Sequence, residues 1–212
     1  TNWIGISNNP NITSPFILEH INNLYLNALS TNEALDFSIV DKYPDKNWHW
    51  IFLSNNPNLK LNVVLKYPDK NWDWRTISSN IGVSMVDIRN TLLNKTKNVI
   101  WYWDYVSCNP NLGIQIIKDY PDKNWCWTHI SKHPNMTLDI IRDNPSMNWD
   151  WNAMSLNPNL TIDFIKENIH QNWNRTYISK HKNITMDFIS TMEHPYFFTS
   201  YNPNITYKFM AA

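Results

Sequence analysis

Residues 47–70 read NWHWIFLSNNPNLKLNVVLKYPDK, and residues 71–74 begin the same phrase again with Asn-Trp-Asp-Trp. The serine of this phrase recurs as Ser7, Ser30, Ser54, Ser78, Ser107, Ser131, Ser155, Ser179 and Ser200, at spacings of 23, 24, 24, 29, 24, 24, 24 and 21. Self-similarity at a fixed period is the signature of a repeat architecture, and it outranks every other signal in the chain. Paired tryptophans precede the serine as Trp48/Trp50, Trp72/Trp74, Trp101/Trp103, Trp125/Trp127 and Trp149/Trp151. Leu24/Leu26 hold the same places in the second unit, Trp173/Arg175 in the eighth, and Trp3 holds the second place of the first.

Each unit reads as two short helices. The first is expected over Trp48 to Asn55 in the third unit, with Trp50, Leu53 and Ser54 at i, i+3 and i+4 on one face. Pro57 disfavours helix at Asn56, so the Asn-Pro-Asn turn stops it. The second is expected over segments such as Thr161-Ile-Asp-Phe-Ile-Lys-Glu, with Thr161 as cap and Asp163 at the positive end of the helix. Pro44, Pro68, Pro121 and Pro145 then end it. Helices this short are marginal in water, so one unit cannot fold alone, and stacking must supply the stability. The expectation is an all-α, right-handed α-solenoid of about nine units, a single array over residues 1–212. The stretch opens and closes inside the pattern, which predicts that it is part of a longer chain.

Composition narrows the function classes. The chain carries 18 Lys+Arg against 18 Asp+Glu, 12 Trp and only 3 Gly. Zero net charge lacks the basic surplus by which a dedicated nucleic-acid binder neutralises phosphates. Few glycines disfavour β-sandwiches and phosphate-cradling loops, which need positive φ. No apolar run approaches the ~20 residues of a membrane span. Two cysteines, Cys108 and Cys126, make no disulfide framework. Glycosylation sequons begin at Asn11, Asn94, Asn135, Asn159, Asn174, Asn183 and Asn204, several at the same turn of successive units. A secretory chain would carry a crowded row of glycans there. A reduced, non-secretory compartment is expected.

The pattern of Asn-Pro-Asn, then an acidic residue with an apolar pair, then Pro-Asp resembles the leucine-rich repeat variant family of 24-residue repeats. That resemblance implies a superhelix of alternating α and 3₁₀ helices. The small residues of that family's first helix are Trp pairs here, and the cysteine cluster of its iron–sulfur founding member is missing, so no cofactor is expected. The wording of Asn56-Pro57-Asn58-Leu59, Pro68-Asp69-Lys70-Asn71-Trp72-Asp73-Trp74 and Asn157-Pro158-Asn159-Leu160-Thr161 is closer still to repeat proteins of the giant viruses of amoebae, the mimivirus group. This implies host cytoplasm or virion as the location.

Several columns invite a site. A nucleophile needs one activated residue with a placed base, which nine equivalent serines cannot each have, so packing or a bond to a preceding-turn carbonyl is expected of them. No catalytic residue is assigned. Cys126, His129 and His133 at i, i+3 and i+7 would share a helix face and could bind zinc, but His133 stands where other units have the first Asn of the turn, so no metal site is assigned. The tryptophans could stack on bases or sugars, yet their recurrence favours packing, with one of each pair in the core and the other between units. The variable columns are more informative. The residue between the tryptophans and the two after the pair supply His49, Phe52, Asp73, Arg75, Tyr102, Tyr105, His129, Asp150 and Asn152. In a solenoid such columns form a continuous surface, so these nine are the expected partner-binding residues. A 29-residue unit between Ser78 and Ser107 carries an insertion at 92–98 and reads Asn80-Ile81-Gly82 in place of Asn-Pro-Asn. A loop, with a bend or a partner contact, is expected there.

The expected function is a non-enzymatic protein-interaction scaffold with a protein partner. Two alternatives stay open: a self-associating structural component of a virion capsid or fibre, and binding of nucleic acid or carbohydrate through aromatic side chains.

Overall fold

The computed structural model describes residues 1–183 and Thr185. The unit anchored at Ser200, with Thr199 and the sequon at Asn204, lies outside the described residues. Among the described residues there are fifteen short helices and no strand. The fold is that of a helical-repeat solenoid. The chain divides into two compact units, Thr1–Leu112 and Gly113–Ala212. The first contains α1 (Trp3–Ser7), α2 (Ser14–His20), α3 (Leu26–Thr31), α4 (Phe37–Lys42), α5 (Trp50–Asn55), α6 (Leu61–Lys66), α7 (Trp74–Ser79), α8 (Met85–Leu93) and α9 (Trp103–Val106). The second contains α10 (Ile114–Asp119), α11 (Trp127–Ser131), α12 (Leu138–Asp143), α13 (Trp151–Met154), α14 (Ile162–Glu167) and α15 (Arg175–Lys180).

Odd-numbered helices are the first of each repeat. In the first unit α1, α3, α5, α7 and α9 pack each on the next, and in the second α11 packs on α13. Their inner face is the apolar residue before each serine: Leu29, Leu53, Ile77, Val106, Ile130, Met154 and Ile178 are all sealed from solvent. A second sealed column follows each turn, at Leu35, Leu59, Val83, Leu112, Met136 and Leu160. The even helices add pairs such as Ile39/Val40, Val63/Val64, Ile116/Ile117 and Phe164/Ile165. Both helices of each repeat are α-helical, in place of the α and 3₁₀ alternation that the resemblance implies. The first helix closes with i to i+4 bonds from its cap, as in Ile77 N–H to the Asp73 carbonyl, with i+3 steps at its end, as in Asn80 N–H to the Ile77 carbonyl, and also at the start of α9 and α11, where the Tyr105 and His129 N–H groups reach the Tyr102 and Cys126 carbonyls.

The first helix begins at the second tryptophan, two residues later than the periodicity suggests. Trp48 lies ahead of α5, and His49 caps it. The leading tryptophans, Trp48, Trp72, Trp101, Trp125, Trp149 and Trp173, are buried. In five of these six the indole N–H donates at 2.8–2.9 Å to the carbonyl five residues earlier, as from Trp72 to Tyr67 and from Trp149 to Asn144. The second tryptophan is half-buried and meets the next repeat's leading indole edge-on. The centroid distances are 5.0 Å for Trp50–Trp72 and 5.6 Å for Trp74–Trp101 in the first unit, and 5.4 Å for Trp127–Trp149 and 5.1 Å for Trp151–Trp173 in the second. Edge-to-face pairs of this kind add about 1 kcal/mol beyond the area they bury.

Two polar columns bind repeat to repeat. Ser7, Ser30, Ser54 and Ser78 each donate to the carbonyl four residues back, as Ser54 to Trp50 at 2.9 Å, and accept the backbone N–H that opens the next first helix, as from Asp73 at 2.9 Å, while Ser179 donates three residues back, to Thr176. The same acceptance recurs from Tyr102 to Ser78, Asp150 to Ser131 and Asn174 to Ser155. The first asparagine of each turn accepts from the N–H two residues on and points its amide at the preceding repeat. Asn56 Nδ2 donates to the Ser30 and Asn32 carbonyls at 3.1 and 3.0 Å, and Asn80 Nδ2 to those of Ser54 and Asn56 at 2.8 and 3.0 Å. No buried side-chain polar atom is left unpaired among the described residues.

The insertion is part helix and part loop. α8 extends through Leu92 and Leu93, so the loop expected over 92–98 begins only at Asn94. Lys95 and Asn98 carry the only positive φ values among the described non-glycine residues, 48° and 61°. The detour removes the usual carbonyl partner, and the Trp101 indole donates to the Thr91 hydroxyl at 2.9 Å. The missing Asn-Pro-Asn has a steric reason as well. Gly82 replaces the second asparagine, and a Cβ there would overlap the Leu59 carbonyl oxygen of the preceding repeat. A Cβ on Gly113, by contrast, meets nothing within 4 Å. Gly82→Ala is expected to cost about 2 kcal/mol or more by forcing these two turns apart, while Gly113→Ala leaves stability within about 0.5 kcal/mol. Urea denaturation of the two variants checks this pair.

Candidate interaction surface

The residue between the tryptophans is the N-cap of each first helix, and this position accounts for part of the variable column. Asp73 Oδ1 accepts the Arg75 N–H at 3.0 Å, and its Oδ2 accepts the Thr76 hydroxyl at 2.7 Å. Asp150 Oδ1 accepts the Ala153 N–H at 3.0 Å. His49 Nδ1 accepts the Phe52 N–H at 3.3 Å. Asn, Asp and His all offer an acceptor at the right reach, so the column varies among capping residues. Tyr102 and Cys126 make no capping bond with their side chains.

The remaining positions form exposed contacts along the odd helices. In the first unit the His49 ring stacks on Phe52 at 3.7 Å and 19°, and Phe52 is 40% exposed. The Arg75 guanidinium lies 4.9 Å from the Tyr102 ring centroid, and Tyr102 meets Tyr105 edge-on at 6.3 Å. Arg75, Tyr102 and Tyr105 are thus brought together across α7 and α9. In the second unit the Thr128 hydroxyl donates to Asp150 at 2.8 Å, and Asn174 Nδ2 donates to exposed Asn152 at 3.3 Å. His129 sits half-buried on α11. The nine expected partner residues leave out Tyr25, Ile51 and Tyr177, which stand in the same columns with 51, 42 and 38% exposure. Tyr25 stands between Leu24 and Leu26, which the repeat alignment sets on the tryptophan pairs.

The opposite, even-helix face is charged. Lys66 reaches Asp41 at 3.0 Å, and the Tyr67 hydroxyl donates to the same carboxylate at 2.8 Å. Burial works against the charge on Asp41, but the hydrogen bonds from Lys66 and Tyr67 and the Lys66 charge hold its carboxyl below the usual carboxylate range. Its small stabilising effect is therefore present at neutral pH and fades as pH falls through that range. Arg142 makes a forked pair with Glu167 at 3.0–3.2 Å and a further contact with Asp139 at 3.1 Å. The Lys66–Asp41 and Arg142–Glu167 pairs join successive repeats and are solvated, whereas Arg142–Asp139 lies within α12.

The Cys126, His129, His133 trio does not share a helix face. Cys126 is the N-cap of α11, and His133 lies beyond its end in the turn. His133 Nδ1 accepts the Asn135 N–H at 3.1 Å, the bond that asparagine makes elsewhere. His181 shows both halves of the mimicry, with Nδ1 facing the Asn183 N–H at 3.3 Å and Nε2 facing the Asn157 carbonyl at 3.0 Å. An Nε2–H tautomer fits both contacts. Among the described residues no group of three His, Cys, Asp or Glu could hold a metal ion, and no helix is long and apolar enough to cross a membrane.

No family model, curated protein or solved structure matches the chain.

Because His133 occupies an asparagine place, His133→Asn is expected to hold stability within about 0.5 kcal/mol, whereas His133→Ala leaves buried polar groups without partners and costs about 1–3 kcal/mol. Thermal unfolding of both variants tests the equivalence.

Proposed function

We propose that the chain is a non-enzymatic interaction scaffold that binds a protein partner along the exposed face of its odd-numbered helices. One observation carries this reading. The residues that recur in every repeat are consumed in holding repeats together, while those that vary lie side by side on one exposed face. In the first unit that face offers Tyr25, Ile51, Phe52, Arg75, Tyr102 and Tyr105, and aromatic and arginine side chains of this sort dominate binding energy at protein interfaces. A non-enzymatic role fits the serine column, whose hydroxyls, as at Ser54 and Ser78, are spent on backbone groups.

The turn asparagines support a non-secretory location. Asn159 and Asn183 head sequons, yet their Nδ2 atoms donate to carbonyls of the preceding repeat, at 2.7 Å from Asn159 to Pro134 and 3.0 Å from Asn183 to Leu160. A glycan on that nitrogen would break the contact. Together with the giant-virus wording of the repeats, this supports the cytoplasm of an infected cell or the virion as the location of the scaffold.

The test is affinity capture from infected cells with the native chain and with a Phe52→Ala, Arg75→Ala, Tyr105→Ala triple variant. The captured partner is expected to fall at least about tenfold while the melting temperature stays within a few degrees, since the three side chains are exposed. Equal capture by both proteins would contradict the reading. So would a nucleic-acid shift that weakens steeply with salt.

A further inference from the structure

Counted from Ser54 and Ser155, Tyr67 and Asn168 hold the same place in their repeats. Their backbones do the same work. Each carbonyl accepts the indole N–H of the next leading tryptophan, Trp72 or Trp173, and the backbone N–H of Lys70 or Gln171. Their side chains differ. In the first unit the Tyr67 ring lies 5.5 Å from Trp50, its hydroxyl donates to Asp41 at 2.8 Å, and Lys66 and Lys70 stand over the Tyr67 and Trp50 rings at 5.4 and 5.2 Å. In the second unit Asn168 Nδ2 turns back to the Phe164 carbonyl at 2.9 Å, and Gln171 stands in the place of Lys70. Beside them lies a depression of about 310 Å³ whose lining includes Arg142, Trp149, Trp151, Phe164, Glu167 and Gln171. Half-buried Trp151, stacked on Phe164 at 6.0 Å and 21°, gives it an aromatic wall. The groups around the Tyr67 ring, Asp41, Trp50 and Lys66, thus have counterparts in this lining as Arg142, Trp151 and Glu167, with the charges of the ion pair exchanged and its atoms again 3.0 Å apart.

We propose that this depression binds the side chain of a tyrosine presented by an extended segment of another protein. The occupant is set by what the chain itself places in the matching surroundings of the first unit: a phenol ring beside a tryptophan, with its hydroxyl on an ion pair. A phenol meets the Trp151 and Phe164 rings as aromatic side chains meet in a core. Its hydroxyl donates to the Glu167 carboxylate as Tyr67 donates to Asp41. The forked pair neutralises both Arg142 and Glu167, so the site suits a neutral ring, and a phosphorylated tyrosine would bring its charge against the carboxylate. A second copy of the chain does not supply the ring. Its described tyrosines are at most 51% exposed, so each lies partly against its own fold, whereas insertion takes a side chain that stands clear of its backbone. The site lies on the even-helix side and is independent of the partner face proposed for the odd helices.

The experiment titrates the full chain with the blocked peptide Gly-Ser-Tyr-Ser-Gly and follows the assigned indole N–H resonances by NMR. A saturable shift centred on Trp149 and Trp151 is expected. Peptides with phenylalanine or phosphotyrosine in place of tyrosine are expected to bind at least about threefold more weakly, one lacking the hydroxyl and the other repelled by Glu167. Asn168→Tyr restores the ring that the first unit carries, and is expected to weaken the tyrosine peptide at least about tenfold while the melting temperature stays within a few degrees. Glu167→Ala, at an exposed position, is expected to bring the tyrosine peptide down to the affinity of the phenylalanine peptide and to leave the latter unchanged, which keeps the test decisive should Asn168→Tyr not fold. No saturable shift at Trp151, equal affinity for the three peptides, or undiminished binding to either folded variant would overturn the proposal. Tighter binding of methyl glucoside at the same resonances would overturn it in favour of a sugar. A concentration-dependent dimer of the chain alone that Asn168→Tyr abolishes would assign the site to a second copy and overturn it as well.

Discussion

A side-chain amide that bridges two main-chain carbonyls of its neighbour is the constraint on which each junction turns. Helices of four to nine residues leave most of their carbonyls without intrahelical partners, and those carbonyls are buried by stacking. An orphaned buried carbonyl costs about 1–3 kcal/mol, so an array of such helices cannot close without a donor at every junction. Asparagine supplies that donor from a turn, and its other end accepts the N–H two residues ahead. One side chain thereby shapes its own turn and satisfies the repeat before it. The serine hydroxyl performs the matching task on the first helix, satisfying a carbonyl four residues back and the N–H that opens the next helix.

This division of labour explains the composition. Helix ends closed by side chains and extended residues need no left-handed cap: Asn56 leaves α5 at φ −68° and ψ 128°. Glycine is scarce accordingly, and Gly82 is kept for close approach and not for positive φ. The tryptophans serve the same economy of length. A two-turn helix has little area to bury, and a pair of indoles per repeat, one sealed and one lying between repeats, raises it.

Much of the architecture was legible in residues 47–70 because period, turn chemistry and caps all point the same way. Pro57 ends α5 where expected, and Thr161 caps α14 through the Phe164 N–H at 3.3 Å. Three features were not legible. The start of the first helix was placed at the leading tryptophan, because hydrophobic pattern alone cannot separate a buried residue ahead of a cap from one inside the helix. The role of His49, Asp73 and Asp150 as caps was hidden for the same reason, since the cap position follows only once the start is known. The interrepeat bonds of serine and asparagine also escaped the sequence, because a partner 19 residues away for serine, or 24 to 26 for asparagine, is set by stacking geometry and not by local pattern. Of the nine expected partner residues, the structure gathers Arg75, Tyr102 and Tyr105 at one place and His49 with Phe52 at another. It gives Asp73 and Asp150 a local structural task.

The amide bridge is tested most directly by comparing Asn56→Asp with Asn56→Ala in equilibrium denaturation at neutral pH. Aspartate has the shape of asparagine and keeps the acceptor for the Asn58 N–H, but it turns a carboxylate oxygen toward the Ser30 and Asn32 carbonyls. If the donor is what matters, the near-isosteric aspartate destabilises more than alanine, by about 3–5 kcal/mol against about 2–3, and the gap narrows as falling pH protonates the carboxyl. Aspartate tolerated as well as asparagine, or better than alanine, would contradict the account.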